Sequence, residues 1–110
     1  MQLEDILYEK SEGIATITLN RAEARNAYSD GMIESLVNIF DEAEEDDEVR
    51  CVIITGAGGA FSAGGDLKLM KEREGMFEGD AVRLRSRYMR GIQRIPRRLA
   101  RFEKPVIAAI

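Results

Sequence analysis

An α/β fold follows from three observations in this chain of 110 residues. First, the continuous apolar run Cys51-Val52-Ile53-Ile54 is rich in β-branched residues, and a glycine-rich loop and a helix-favouring segment, DLKLMKERE, follow it. That order is strand, loop, helix, and a run without polar alternation predicts a strand buried on both faces. Second, Met32, Ile33, Leu36, Val37, Phe40 and Ala43 recur at helical spacing and make one apolar stripe. Third, short alternating segments stand at the amino-terminal end, and a second apolar run, residues 106–110, stands at the other.

Taken in order, residues 6–9 and Ile14–Leu19 predict two strands joined across Ser11-Glu12-Gly13, an antiparallel hairpin. The loop 20–28 is polar and holds two arginines. Ser29 is a good N-cap, Asp30 suits a first turn, and the stripe predicts a helix to about Glu45. The acids that end it (Asp41, Glu42 and residues 44–48) lack the spaced ligands and glycine of a calcium loop, and read as a solvated helix end. After the central strand and its loop, Asp66 opens a short helix as cap or loop-fixing acid, and residues 75–79 break it in a segment expected to be mobile. From Asp80 to Phe102 an apolar line (Leu84, Tyr88, Ile92, Ile95, Leu99, Phe102) runs beside a basic one: Arg83, Arg87, Arg90, Arg94, Arg97 or Arg98, and Arg101. Pro96 must kink or restart that helix. Lys104-Pro105 leads into residues 106–110, expected as another buried strand.

Composition narrows the chemistry. Apolar content of 45% and charged content of 33% are those of a globular protein, and no apolar run is long enough for a membrane helix. The acidic start does not resemble a basic presequence, so a cytoplasmic location is the default expectation. A net charge of −4 disfavours general nucleic-acid affinity. The sequence has no histidine, so histidine-based triads and His-ligated metal sites are outside its reach, and no metal site is expected. The single Cys51 reads as a packed thiol.

The glycine loop offers the one concentrated chemical signal. Its glycines are Gly56, Gly58, Gly59, Gly64 and Gly65. A dinucleotide fingerprint fails because Phe61 stands at the last glycine position, and a P-loop fails because Gly64, Gly65 and Asp66 stand where Gly-Lys-Ser/Thr is needed. Two readings remain: a tight connection, or a loop whose bare N–H groups approach a developing oxyanion at a helix start.

The segment Phe61-Ser62-Ala63-Gly64-Gly65-Asp66-Leu67 resembles the F-x-A-G-x-D-[LI] stretch of the crotonase superfamily, the enoyl-CoA hydratase/isomerase family. Ile14 to Arg21, Ala24-Arg25-Asn26-Ala27 and Lys104 to Ile110 match in order and spacing, so the resemblance covers nearly the whole chain. It departs at Ala22, where the family commonly has proline. The resemblance implies a crotonase-like α/β fold of ββα-type spiral repeats, incomplete in this chain. Residues 1–110 would be the amino-terminal part of an acyl-CoA-binding domain. It implies an acyl-CoA thioester as substrate, no permanently bound cofactor, and a homo-oligomer, trimer or hexamer. By position, the Gly65 N–H would be an oxyanion donor. Arg25, Ala27, Ala63, Gly64, Gly65, Asp66 and Leu67 would bind the substrate's coenzyme A portion, with Arg25 as the phosphate contact. The second donor and the catalytic glutamates of hydratases lie, in the family, beyond residue 110. The implied activity is that of an enoyl-CoA hydratase/isomerase, with isomerisation, thioester hydrolysis and decarboxylation as alternatives that share this loop. An RNA-binding module using the stripe from Arg83 to Arg101 is a reading of another class, and a solvated, ion-paired helix face is the plainer account of the same arginines.

Overall fold

The computed structural model describes residues 2–110. A hairpin opens the chain: β1 (Ile6–Ser11) pairs antiparallel with β2 (Ile14–Leu19), with Glu12 and Gly13 at positive φ in the turn. Helix α1 (Asp30–Glu45) crosses over and delivers β3 (Cys51–Gly56) parallel to β2, placing Ile14 beside Cys51 and Ile17 beside Ile54. Three short helices follow: α2 (Leu67–Glu72), α3 (Ala81–Arg90) and α4 (Arg94–Arg101). The chain then returns as β4 (Val106–Ala109), parallel to β3, giving the sheet order β1-β2-β3-β4.

Pleating assigns the faces. Ala15, Ile17, Leu19 and Val52 point one way and are buried against Met32, Ile33, Leu36, Ile39, Phe40 and Ala43 of α1. Ile95 of α4 completes that core, with Leu84, Tyr88, Ile92, Leu99 and Phe102 packed at its margin, so the apolar line after Asp80 is a packing surface as expected. Phe40 and Phe102 meet edge to face at 5.2 Å between ring centroids. The expected α1 start is confirmed: the Ser29 hydroxyl accepts the Met32 N–H at 3.0 Å.

Several expectations change. The break after Arg90 falls at Gly91, whereas Pro96 lies in the first turn of α4, where a missing N–H costs no helical bond. Residues 75–79 are not a loose tether, because Met76 and Phe77 are buried in the core. The central strand is not buried on both faces: among the β3 residues only Val52 is fully buried. All of β4 is exposed, with Ile107 at 55% and Ile110 beyond it at 99%. The cause is one-sided packing. The helices feed a single core on one face of the sheet, and β4 stands at the edge with β3 as its one neighbour among the described residues.

Candidate active-site loop

The glycine loop leaves the end of β3, and its shape is dictated by close approach. A Cβ at Gly56 would stand 2.5 Å from the carbonyl oxygens of Ala60 and Phe61, backbone atoms that cannot yield. At Gly64 the requirement is conformational: φ is +81°, and the space around it is open. A side chain at Gly65 would collide with the Met70 thioether methyl and touch Phe77.

Opposite this loop stands the segment 21–28, and the two are bonded together over their length. Asn26, fully buried at positive φ, donates through its amide to the Ala57 and Ala60 carbonyls at 2.9 Å each. Its side-chain oxygen accepts the Arg21 N–H at 2.8 Å. The Ser62 hydroxyl donates to the Asn26 carbonyl and accepts the Gly64 N–H, each at 3.0 Å. The Ala63 N–H donates to the Arg25 carbonyl at 2.9 Å, and the Tyr28 N–H to the Gly64 carbonyl at 2.8 Å. Asn26 and Ser62 are the residues that sequence reasoning passed over. Asparagine's tolerance of the left-handed region was the available signal for the first.

Asp66 is the N-cap of α2, accepting the Lys68 and Leu69 N–H groups at 3.0 and 3.2 Å, while Arg21 reaches its other oxygen at 3.4 Å. Its carboxylate is therefore committed to structure, and the first-turn donors of α2 serve it. The Gly65 N–H, one residue earlier, has no acceptor among the described residues. Of the other residues picked out by sequence, Arg25 is exposed at positive φ, with no ion pair among the described residues. Its backbone bond to Ala63 sets it beside the loop. Ala63 and Leu67 are exposed and Gly64 half-buried, but Ala27 is buried and its carbonyl is taken by Arg21. Phe77, which a side chain at Gly65 would touch, stacks edge to face on Tyr88 at 5.9 Å, so apolar side chains occupy the space where a Gly65 side chain would extend. Glu72, Glu74 and Glu78, which follow the loop in sequence, are all exposed, and the described residues include no cluster of His, Cys, Asp or Glu able to hold a metal ion. Among the described residues, no helix is long and apolar enough to cross a membrane.

The basic stripe is partly consumed inside the fold. Arg98, itself buried, pairs with Asp41 at 2.6 Å and with Glu44, Arg94 pairs with Glu34, and Arg87 donates to the Gly75 carbonyl. The ion-paired face is thus the right account of Arg94 and Arg98.

Comparison with known proteins gives this loop a lineage. The family profile described as Enoyl-CoA hydratase/isomerase matches residues 9–110. The chain is 39% identical over 108 residues to the 1,2-epoxyphenylacetyl-CoA isomerase of Escherichia coli K12, covering 98% of this chain and 40% of that protein. It is 37% identical to the short-chain-enoyl-CoA hydratase of Clostridium acetobutylicum, over 100% of this chain and 40% of the relative. A crystal structure of an enoyl-CoA hydratase/isomerase from Xanthobacter autotrophicus Py2 superposes with a TM-score of 0.86 at 38% identity, over 99% of this chain and 39% of that one. The chain thus spans about 40% of the length of these relatives and carries the corresponding part of their fold. It belongs to the enoyl-CoA hydratase/isomerase (crotonase) family.

Proposed function

We propose that this chain forms the amino-terminal part of an acyl-CoA-binding domain and supplies one of the two N–H donors that stabilise a thioester enolate. The observation that carries the reading is the Gly65 N–H. It belongs to a loop held by hydrogen bonds on both sides of it, and it has no acceptor among the described residues. A buried or half-buried N–H without a partner is costly unless something else satisfies it, and a developing oxyanion does so most strongly in the transition state. Gly64 and Gly65 allow the carbonyl to approach, Arg25 at the loop's rim offers a guanidinium to a coenzyme A phosphate, and Ala27, Ala63, Asp66 and Leu67 frame the adjoining part of the ligand.

The reaction is hydration of an enoyl-CoA double bond, with isomerisation as the near alternative, since relatives carry names of both kinds. Proton transfer to and from water needs carboxylates, and Asp66 is already committed to its helix. The second donor and the acid–base pair therefore come from residues outside these 110. The working enzyme is read as a cytoplasmic homo-oligomer with no resident cofactor.

The test follows the ultraviolet absorbance of an enoyl-CoA thioester with the longer enzyme containing this chain. Gly65→Pro removes the N–H and should lower turnover by about a hundredfold or more. Full activity in that variant overturns the oxyanion assignment. The 110-residue chain alone should give no turnover, and turnover from it would show that its own residues complete the site.

A further inference from the structure

Between Ala81 and Arg101 the chain holds eight arginines and no Asp, Glu or Lys, although the whole sequence has 20 acidic residues. Arg87, Arg94 and Arg98 are spent on internal partners. Arg83, Arg85, Arg90, Arg97 and Arg101 are exposed and have no ion pair among the described residues. Three of these five gather at one place. A cleft of about 740 Å³ between α3 and α4 is lined by the apolar surfaces of Leu84, Tyr88, Met89 and Pro96, with Arg85 and Arg97 as its charged residues. Arg85, Met89 and Arg97 also line an adjoining depression of about 330 Å³, where Arg90 and the Ser86 hydroxyl join them. No acid lines either space, and none of the lining residues belongs to the glycine loop.

We propose that these two adjoining clefts form a binding site for a phosphate monoester with a hydrocarbon body. The larger cleft is of the size that takes a small ligand. Three guanidinium groups with no balancing acid exceed what a single carboxylate can neutralise. A phosphate monoester brings about −1.5 to −2 charges and three acceptor oxygens, matching both the charge and the forked donors of arginine. The hydrocarbon covers Leu84, Tyr88 and Met89 in the larger cleft. The site does not depend on the reading of Gly65.

Titration calorimetry of the chain with hexyl phosphate, at low ionic strength and below its micelle concentration, tests this. Saturable one-to-one binding is expected, with affinity at least about tenfold above both inorganic phosphate and hexyl sulfate. Arg85→Gln and Arg97→Gln should each weaken it by about tenfold, the loss of a charge-assisted pair, whereas Arg101→Gln, outside both clefts, should change it by less than about twofold. None of these side chains has a partner among the described residues, so thermal melts of the variants should match the parent. Vesicles of phosphatidylcholine with and without phosphatidic acid identify the source of the ligand. Retention by phosphatidic acid that is lost with Arg85→Gln or Arg97→Gln marks a lipid headgroup. Binding of hexyl phosphate without retention marks a free ester. Absence of both, or binding indifferent to the two substitutions, overturns the proposal. So does tight binding of single-stranded RNA that hexyl phosphate cannot displace, which would make the face a polynucleotide surface.

Discussion

Asn26 carries more of the candidate site than any residue that touches it from the ligand side. Its side chain is the shared partner of one N–H and two carbonyls, and all three belong to segments that secondary structure leaves unpaired at that point. Asn26→Ala would strand those groups in a buried place and should destabilise the chain by about 2–4 kcal/mol, read by urea unfolding. A loss below about 0.5 kcal/mol would mean that water replaces the amide without cost. Tyr8 presents the opposite case. Its hydroxyl is buried with no partner among the described residues, and its pKa is pushed up by burial and by the nearby Asp46 and Glu42 carboxylates. Tyr8→Phe discards a group that earns no hydrogen bond, so the melting temperature should hold or rise. A clear fall would reveal a partner for that hydroxyl. Under the proposed function, Arg25, exposed beside Ala63, would serve binding and not the chemical step. Arg25→Gln in the longer enzyme should raise KM and leave kcat nearly unchanged, because a phosphate contact serves ground and transition states alike.

Helices α1 and α4 are held together by charge at one margin of an apolar contact. Arg98 donates to Asp41 and Glu44, Glu44 also accepts the Glu103 N–H, and Lys104 reaches the last carbonyls of α1 at Ala43 and Asp46. The Arg98 hydrogen bond first, and the Glu103 N–H second, pull the Glu44 carboxyl below its ordinary value of 4.5. Arg94 pulls Glu34 down in the same direction. A depressed folded pKa means stability that is fully present above the ordinary value and lost as pH falls through the folded one. The melting temperature of the parent should therefore exceed that of Glu44→Gln at neutral pH. The gap should shrink below pH 4.5 and close once the folded carboxyl is protonated. A gap independent of pH would show that the pair stabilises nothing through its charge. This clasp also marks where sequence reading stops. The extent of α1 was legible to within a residue because Ser29 and the apolar stripe are local signals. The break at Gly91 was read onto Pro96, since proline is the stronger breaker in a helix interior but harmless in a first turn. The glycine loop was legible as a strand-to-helix connection with free donors. Its fastening by Asn26 was not, because those bonds join residues 31 and 34 positions apart, a separation no local pattern encodes.

At the scale of the whole chain, the sheet is finished on one face only. Apolar residues at β3 and β4 report what those strands are suited to bury, and the helices of this chain all lie against the other side. That is why the apolarity of residues 106–110 suggested burial while the fold leaves them exposed. Two liabilities coincide there. The half-buried outer face of β3 at Ile53 continues into Ile107 beside it, and among the described residues β4 presents an unpaired edge that can accept another strand. In a longer relative of this fold, further chain can cover such a surface; in isolation, the nearest apolar surface is another copy. The 110-residue chain should therefore self-associate, with light scattering showing mass that rises with concentration. Ile107, 55% exposed on the edge strand, is the position at which to interrupt that process. Ile107→Lys places a charge on the edge and should shift the distribution toward monomer. It should leave the far-ultraviolet dichroism unchanged, because Ile107 contributes nothing to the core on the helical side. A parent chain that is already a sharp monomer and unfolds cooperatively would contradict the argument. Equal association by parent and Ile107→Lys would move the contact away from β4, to the outer face of β2 and β3.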